Sequence, residues 1–336
     1  MTDTTPDNTH RRALLGRIVG AGAAVLAVPF MPRLLAMNSP SLISSAKAAA
    51  GYTGALKNQG DLVHIPAAAA KTSTLAEWYN PEGRTGPYRI AGSKVALESA
   101  PKDASYYEAK LYDFPSGAIR VLSWKKGMPV AHMITFETEI LVLSGSATLT
   151  PLMGFAGKPV EIKKGDALFP PAGFITNVKL SEDLVLLTYV VSPAKSESKA
   201  SIVSYKDAPI SETLSWEENG ELVSASKPDE MEKAPKNARH RLLQRYSFDG
   251  NSIRVATYSA GGRTASFTIS RTDVLIYIPK GRFRRKEGDQ ILELSAGDAL
   301  REKIGNEGWW EPLEDGSTFI ATDALVNPGV PPSASI

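Results

Sequence analysis

The chain has 336 residues, of which 43% are apolar and 22% charged, a composition typical of a globular protein with enough apolar side chains for two compact cores. Its formal net charge of +2 gives no broad field that would attract nucleic acid or an anionic lipid surface. It contains no cysteine, which excludes disulfides, thiol catalysis, thiolate zinc sites and iron–sulfur clusters.

The first fifty residues have the pattern of a targeting segment. Arg11 and Arg12 precede an apolar run over residues 18–30, an arrangement that resembles a bacterial twin-arginine export signal. This run is shorter than the roughly 20 residues that a spanning helix needs, so we expect no stable membrane span. Small residues at Ala46 and Ala48 predict cleavage nearby. We therefore expect the export machinery as a partner and a periplasmic location, with an uncleaved N-terminal anchor as the alternative.

The next segment changes from irregular to strand-rich sequence. Residues 49–105 show little periodicity and predict an N-terminal arm with one strand at 62–65. From residue 106 onward, short β-branched and aromatic runs alternate with Gly, Pro, Lys and Asp turns, and no helical period interrupts them. This pattern predicts an all-β sandwich or barrel.

The strand-rich sequence occurs twice. Gly165-Asp166-Ala167-Leu168 returns as Gly297-Asp298-Ala299-Leu300, and eight upstream residues recur at one constant separation of 134 residues. These pairs are Tyr112 and Tyr246, Phe114 and Phe248, Ile119 and Ile253, Arg120 and Arg254, Val121 and Val255, Gly127 and Gly261, Thr138 and Thr272, and Leu141 and Leu275. A repeat of this length predicts two tandem copies of one unit.

The duplication and the composition divide the chain into six segments. We expect a signal segment, an N-terminal arm, a first barrel, a polar linker, a second barrel and a tail. Their bounds are 1–48, 49–105, 106–193, 194–240, 241–328 and 329–336.

The first copy carries a recognisable motif. Gly127, His132, Glu139 and Gly145 resemble the first cupin motif, and the Gly-Asp and Pro-Ala-Gly turns of residues 165–173 resemble the second. The chain is thus similar to a bicupin. The resemblance implies an all-β fold of two tandem jelly-roll barrels, produced by an internal duplication. Because cupins commonly pair, a homodimer is also expected.

The metal ligands usual in that family are incomplete here. Ile134 and Thr176 occupy the positions of two of its histidines, and Glu139 lies one residue out of phase with its glutamate. Since strand side chains alternate between faces, that shift decides whether Glu139 points into the barrel. The chain has four histidines, whereas a three-histidine site in each barrel would need six. We therefore expect one metal site at most.

His132, Glu137 and Glu139 form the best catalytic candidate. An imidazole beside carboxylates suits proton transfer, with His132 and Glu139 as ligands if one divalent Fe, Mn, Ni or Zn ion is bound. The missing ligands favour a site without metal. In the alternative interpretation, Glu139 and its repeat Asp273 are structural partners of arginines.

A small-molecule pocket is expected in the first barrel, lined by Trp124, Thr176 and Tyr189. The leading hypothesis is a lyase or isomerase acting on a small polar sugar-acid or hydroxylated compound. The alternatives are a non-catalytic periplasmic binding or accessory protein and a metal-dependent cupin dioxygenase. The basic run from Arg282 to Lys286 is interpreted as solvated surface.

Overall fold

The computed structural model describes twelve ranges of the chain, all within one compact unit, Asn38–Ile336. The ranges are 62–79, 88–102, 104–127, 131–134, 138–153, 158–170, 175–191, 201–248, 251–264, 267–269, 272–287 and 290–324. The predicted signal segment and the C-terminal tail lie outside them. No helix within these ranges is long and apolar enough to cross a membrane.

Twelve strands are described in the first half of the chain, together with a short 3-10 helix at Ala67–Ala69 and helix α1 at Lys94–Glu98. The strands are β1 Val63–Ile65, β2 Lys71–Tyr79, β3 Tyr88–Ala91, β4 Ser105–Phe114, β5 Gly117–Trp124, β6 Ala131–Ile134, β7 Thr138–Ser144, β8 Ser146–Met153, β9 Val160–Lys163, β10 Ala167–Phe169, β11 Ile175–Leu180 and β12 Leu184–Val190.

The second half repeats this series with twelve more described strands and helix α2 at Pro228–Met231. The strands are β13 Ser201–Val203, β14 Ile210–Glu218, β15 Glu221–Ala225, β16 Arg239–Phe248, β17 Asn251–Tyr258, β18 Phe267–Thr268, β19 Asp273–Lys280, β20 Arg282–Glu287, β21 Gln290–Ser295, β22 Ala299–Glu302, β23 Glu307–Pro312 and β24 Ser317–Ala324.

Each half builds the two facing sheets of a jelly roll. In the first half, strands ordered β10-β7-β12-β5 face strands ordered β6-β11-β8-β9, and every pairing is antiparallel. In the second half, β22-β19-β24-β17 faces β18-β23-β20-β21 in the equivalent order. These orders, in which chain neighbours alternate between the two sheets except at the β8–β9 and β20–β21 hairpins, define a jelly roll. They confirm the predicted fold class of two tandem jelly-roll barrels, called barrel 1 and barrel 2 below.

The repeated unit is longer than the sequence comparison indicates. Strands β2 and β3 extend the large sheet of barrel 1 beyond β4, and β14 and β15 extend that of barrel 2 beyond β16. The segment 49–105, for which one strand is predicted, thus contributes three, and the segment 194–240 contributes their counterparts. Both segments are structurally part of the repeat, although little of their sequence is shared.

The first strand of each unit pairs with the opposite barrel. β1 pairs with β22 of barrel 2, while β13 pairs with β10 of barrel 1. The Gly-Asp hairpins hold both exchanged segments: Asp166 accepts a backbone hydrogen bond from Tyr205 at 3.0 Å, and Asp298 accepts one from Ala67 at 2.8 Å. Asp298 also contacts the His64 ring, which is therefore a partner of barrel 2. The Gly-Asp turns repeat because each fixes its own hairpin and a strand from the other half.

The described residues form three apolar clusters. One lies inside barrel 1, one inside barrel 2, and the third lies between the barrels. The third cluster contains both members of three repeated pairs, namely Tyr112 and Tyr246, Ile119 and Ile253, and Leu141 and Leu275. Much of the sequence repeat therefore encodes the contact between the barrels, and both faces of each large sheet are buried.

Candidate functional site

Part of the interior of barrel 1 is occupied by an aromatic stack. Trp124, predicted to bind substrate, is 2% exposed and stacks on Tyr107, with ring centroids 4.7 Å apart. The Tyr107 hydroxyl donates a hydrogen bond to the buried Glu77 carboxylate at 2.6 Å. Burial raises the pKa of Glu77 from its ordinary value of 4.5 to about 8. This stack lies where the sequence predicts that Trp124 contacts a substrate.

Thr176 and His132 lie on the paired strands β11 and β6 of barrel 1. Thr176 is fully buried on β11, and its hydroxyl donates to the Asn177 carbonyl at 3.2 Å. Asn177 is the backbone partner of His132 on β6. The His132 side chain and the whole of Glu137 lie outside the described residues, so their predicted roles remain predictions.

Glu139 and Tyr189 lie between the two barrels. They are opposite one another on β7 and β12, and both are buried. The Thr322 hydroxyl of barrel 2 donates a hydrogen bond to the Glu139 carboxylate, and the Tyr189 hydroxyl donates to the Ile320 carbonyl at 2.7 Å. Because alternation sends Ile140 into barrel 1, Glu139 points away from its interior. This placement differs from the predictions that Glu139 is a catalytic residue or metal ligand of barrel 1 and that Tyr189 lines its pocket.

A metal does not fit the described donor set of barrel 1. Of the two predicted ligands, Glu139 faces the other barrel and the His132 side chain is not described, while Ile134 and Thr176 replace the imidazoles usual in cupins. In the part of the chain that the structure describes, no group of three or more His, Cys, Asp or Glu side chains could hold a metal ion. The described residues therefore lack the ligands that Fe, Mn, Ni or Zn would need.

Barrel 2 contains an open cavity of about 600 Å³, within the range of small-molecule sites. The residues that line the cavity have charged, hydroxyl or apolar side chains. Charged side chains are Arg241, Arg245, Arg254, Glu302 and Asp323. Hydroxyl side chains are Thr213, Ser215, Ser224, Ser252, Thr264 and Thr272. Apolar side chains come from the barrel interior, among them Ala256, Val274, Ile276 and Phe319.

The arginines converge because β16 and β17 present them on one face. Arg241 and Arg245 are separated by four residues on β16, so both point the same way, and Arg245 lies directly opposite Arg254 on β17. Like charges at opposed strand positions repel one another unless an anion lies between them. Arg254 has Asp323 as a partner at 2.7 Å, and Arg241 donates to the Thr213 hydroxyl at 3.1 Å.

The cavity has an excess of positive charge. Three arginines line it against two carboxylates, and Glu302 is already in contact with Arg285 inside the barrel. Arg239, on the same face of β16, is also buried, and burial lowers its pKa. Burial raises the pKa of the Tyr258 hydroxyl, although Arg241 and Arg239 oppose that shift. An arginine-rich concave surface of this kind suits a carboxylate or another small anion.

The arginines of β16 are specific to the second copy, whereas Arg254 repeats Arg120 of the first. β4 and β16 begin and end 134 residues apart, so Arg239, Arg241 and Arg245 correspond to Ser105, Tyr107 and Leu111 of barrel 1. Where barrel 1 places the Tyr107 ring against Trp124, barrel 2 places a guanidinium beside Tyr258. The same strand position thus carries a stacked aromatic ring in one copy and a guanidinium in the other.

The sequence motifs did not point to this site, because the cupin-like motif lies in the first copy. A residue-by-residue comparison of the two copies would reveal three arginines at alternating positions of one strand.

The interpretation of the basic run of residues 282–286 as solvated surface is wrong for one of its residues. Arg285 is fully buried and contacts Glu302 inside barrel 2, so it is not solvated surface. Alternation along β20 sends it inward while Arg284 pairs with Glu311 at 2.7 Å on the outer face.

The fold and the site together define a two-barrel jelly-roll protein with an arginine-lined cavity in its second barrel. No protein-family model and no curated protein sequence matches the chain.

Several solved structures are similar at low identity. They include a mutant form of oxalate decarboxylase from Bacillus subtilis, with 13% identity, a TM-score of 0.45, and coverage of 65% of this chain and 73% of that one. AerE from Microcystis aeruginosa has 12% identity, a TM-score of 0.47, and coverage of 65% and 92%. The coconut allergen cocosin has 10% identity, a TM-score of 0.47, and coverage of 65% and 81%. The strand orders, and not these similarities, establish the fold of this chain.

Proposed function

We propose that this protein binds a small hydroxylated organic acid in the cavity of barrel 2. The observation that carries the proposal is the set of arginines on β16, which are present where barrel 1 has Ser, Tyr and Leu. A ligand carboxylate would pair with Arg241 and Arg245, because Arg254 already pairs with Asp323. The Ser and Thr hydroxyls around the opening would pair with hydroxyl groups of the ligand.

The proposed site lies in barrel 2 and not in barrel 1, but its ligand is still a small polar hydroxylated compound, as the sequence suggests. A binding or accessory role is favoured, because the cavity, its positive charge and its hydroxyl side chains are the features that binding of such a ligand requires. The proposal also includes export by the twin-arginine route, because Arg11 and Arg12 precede a short apolar run, and hence a periplasmic location. The partners would be the ligand and the export machinery, with pairing of two copies as an expectation from the strand-rich fold.

A lyase or isomerase acting in the same cavity is the second candidate. Glu302 lines the cavity wall, and burial raises its pKa while Arg285 opposes that shift. A carboxyl group of this kind could hold or accept a proton near a bound acid. Tyr258 beside Arg241 would orient the ligand. This reaction would use Glu302 rather than His132 as its acid–base group.

The binding proposal is tested by isothermal titration of the mature chain with two hydroxylated acids, 4-hydroxybenzoate and D-glucuronate. Arg241→Tyr introduces the residue that barrel 1 carries at this position. We expect it to weaken binding by about 2 kcal/mol, or roughly 30-fold, since one charge-assisted hydrogen bond is lost. Arg282→Gln, at an exposed arginine outside the cavity, should leave the affinity unchanged.

Two further measurements make the outcome decisive. The neutral amide of 4-hydroxybenzoate should bind more weakly than the acid, and the affinity of the acid should fall as salt is added. If neither acid binds, or if Arg241→Tyr leaves the affinity unchanged, the cavity does not recognise a small organic acid.

A further inference from the structure

One wall of the barrel 2 cavity is aromatic. Tyr258, Trp310 and Phe319 line it, and the Trp310 and Phe319 rings lie 5.1 Å apart at an angle of 40°. Behind them is Phe283, which is fully buried and meets Trp310 edge to face at 5.4 Å and Tyr258 at 5.9 Å. This arrangement holds the three lining rings in place, so the wall is pre-formed rather than assembled on binding.

That wall meets a charged group at Tyr258, which lies opposite Arg241, but the surface next to the wall is otherwise largely apolar. The interior surface beside it comes from Ala256, Val274, Ile276 and Ala321, whose side chains offer no hydrogen-bond donor or acceptor. The Trp310 indole has Glu302 as a hydrogen-bonding partner and lies beneath the Arg285 guanidinium at 5.8 Å. The arginines and most hydroxyls belong to β14, β15, β16 and the start of β17. The cavity therefore has a cationic, hydroxylated surface that adjoins an aromatic wall where Arg241 lies opposite Tyr258.

We propose that the ligand is an aromatic carboxylic acid, with its carboxylate at the β16 arginines and its ring against the Tyr258–Trp310–Phe319 wall. This inference rests on the proposed function and adds the carbon skeleton of the ligand. A flat ring gains edge-to-face and offset contacts with such a wall, which a saturated ring does not.

A sugar acid fits this division of the cavity poorly. A pyranose carries hydroxyl groups around its whole ring, so those facing Val274 and Ile276 would be buried without partners. Leaving buried polar groups unpaired is costly, and two such groups weaken binding by well over tenfold. An aromatic acid with one ring hydroxyl needs partners only at its two ends. The Ser and Thr side chains around the cavity can supply one of them.

The test compares ligands of equal charge on the full mature chain, using isothermal titration. The probes are 4-hydroxybenzoate, its saturated counterpart 4-hydroxycyclohexanecarboxylate, and D-glucuronate. We expect 4-hydroxybenzoate to bind at least tenfold more tightly than either of the others. Phe319→Leu should weaken binding of 4-hydroxybenzoate by roughly tenfold and leave that of D-glucuronate unchanged. Phe248→Leu is the matched control, because Phe248 stacks on Phe169 between the barrels, outside the cavity.

The outcomes separate this inference from the proposed function. If D-glucuronate or the saturated acid binds as tightly as 4-hydroxybenzoate, and Arg241→Tyr weakens both, the anion site stands and the aromatic ligand class is wrong. If no acid binds, both proposals fail. If Phe319→Leu and Phe248→Leu weaken 4-hydroxybenzoate equally, the aromatic wall makes no direct contact with the ring.

Discussion

The buried carboxyl of Glu77 should make the stability of the protein fall as pH rises. Glu77 is 4% exposed on β2, lies opposite Ser105, and accepts a hydrogen bond from the Tyr107 hydroxyl. Burial raises its pKa from 4.5 to about 8 in the folded protein, whereas the unfolded chain keeps the ordinary value. Between these two pH values the folded state therefore binds the proton and the unfolded state does not.

The sign and size of the effect follow from proton linkage. Because the folded state holds more protons, the free energy of unfolding decreases with rising pH across this window. The stabilisation is fully present below pH 4.5 and is lost as pH rises through about 8. Each unit of pKa difference corresponds to 1.36 kcal/mol, so the shift of Glu77 amounts to a loss on the order of 5 kcal/mol.

Glu77→Gln isolates this contribution. The amide has nearly the same volume and retains an oxygen that can accept the Tyr107 hydrogen bond, but it does not titrate. Urea unfolding of both proteins, followed by circular dichroism from pH 5 to pH 9, gives the free energy of unfolding at each pH. We expect the variant to become progressively more stable than the wild type as pH rises, by several kcal/mol at pH 9.

The control is Glu108→Gln. Glu108 is on the exposed face of the neighbouring strand, where Thr74 donates to it at 2.7 Å. This variant should follow the wild-type pH curve. If Glu77→Gln also runs parallel to the wild type throughout the range, Glu77 is ionised in the folded protein and the reasoning from burial is refuted.

Two further predictions concern a turn and the targeting segment. Gly145 and Gly220 both have positive φ, but only at Gly145 would an added Cβ overlap a backbone carbonyl, that of Asp183. Thermal or urea unfolding should show that Gly145→Ala costs roughly 3 kcal/mol and Gly220→Ala about 1 kcal/mol, and equal losses would contradict the overlap. Replacing both Arg11 and Arg12 by Lys should leave the protein in the cytoplasm of its host, and unchanged periplasmic recovery in cell fractionation would rule out twin-arginine export.

Some features of the molecule were accessible from local sequence patterns. Alternating β-branched and aromatic runs specify strands because the side-chain period of a strand is two residues. The constant separation of the repeated residues specified two similar units, and Tyr112, Ile119 and Leu141 repeat because they and their counterparts form the contact between the barrels. The Gly-Asp turns could be located in the same way.

Other features depend on contacts between residues far apart in the chain. β1 pairs with a strand more than 200 residues away, and neither its length nor its composition identifies that partner. The orientation of Glu139 was also beyond sequence reasoning. Both faces of β7 are buried, one in barrel 1 and one against barrel 2, so alternation of apolar and polar residues no longer marks the inner face.

The sequence by itself determined the strands, the turns and the duplication, because backbone geometry and side-chain alternation are local properties. Only the tertiary structure showed that the described residues of barrel 2 enclose an open cavity. Tyr107 and Arg241 occupy equivalent positions on equivalent strands, but the first stacks on Trp124 inside its barrel, whereas the second borders an open cavity. Whether a side chain closes a cavity or lines it depends on the volumes of all its neighbours, and those neighbours come from strands throughout each half of the chain.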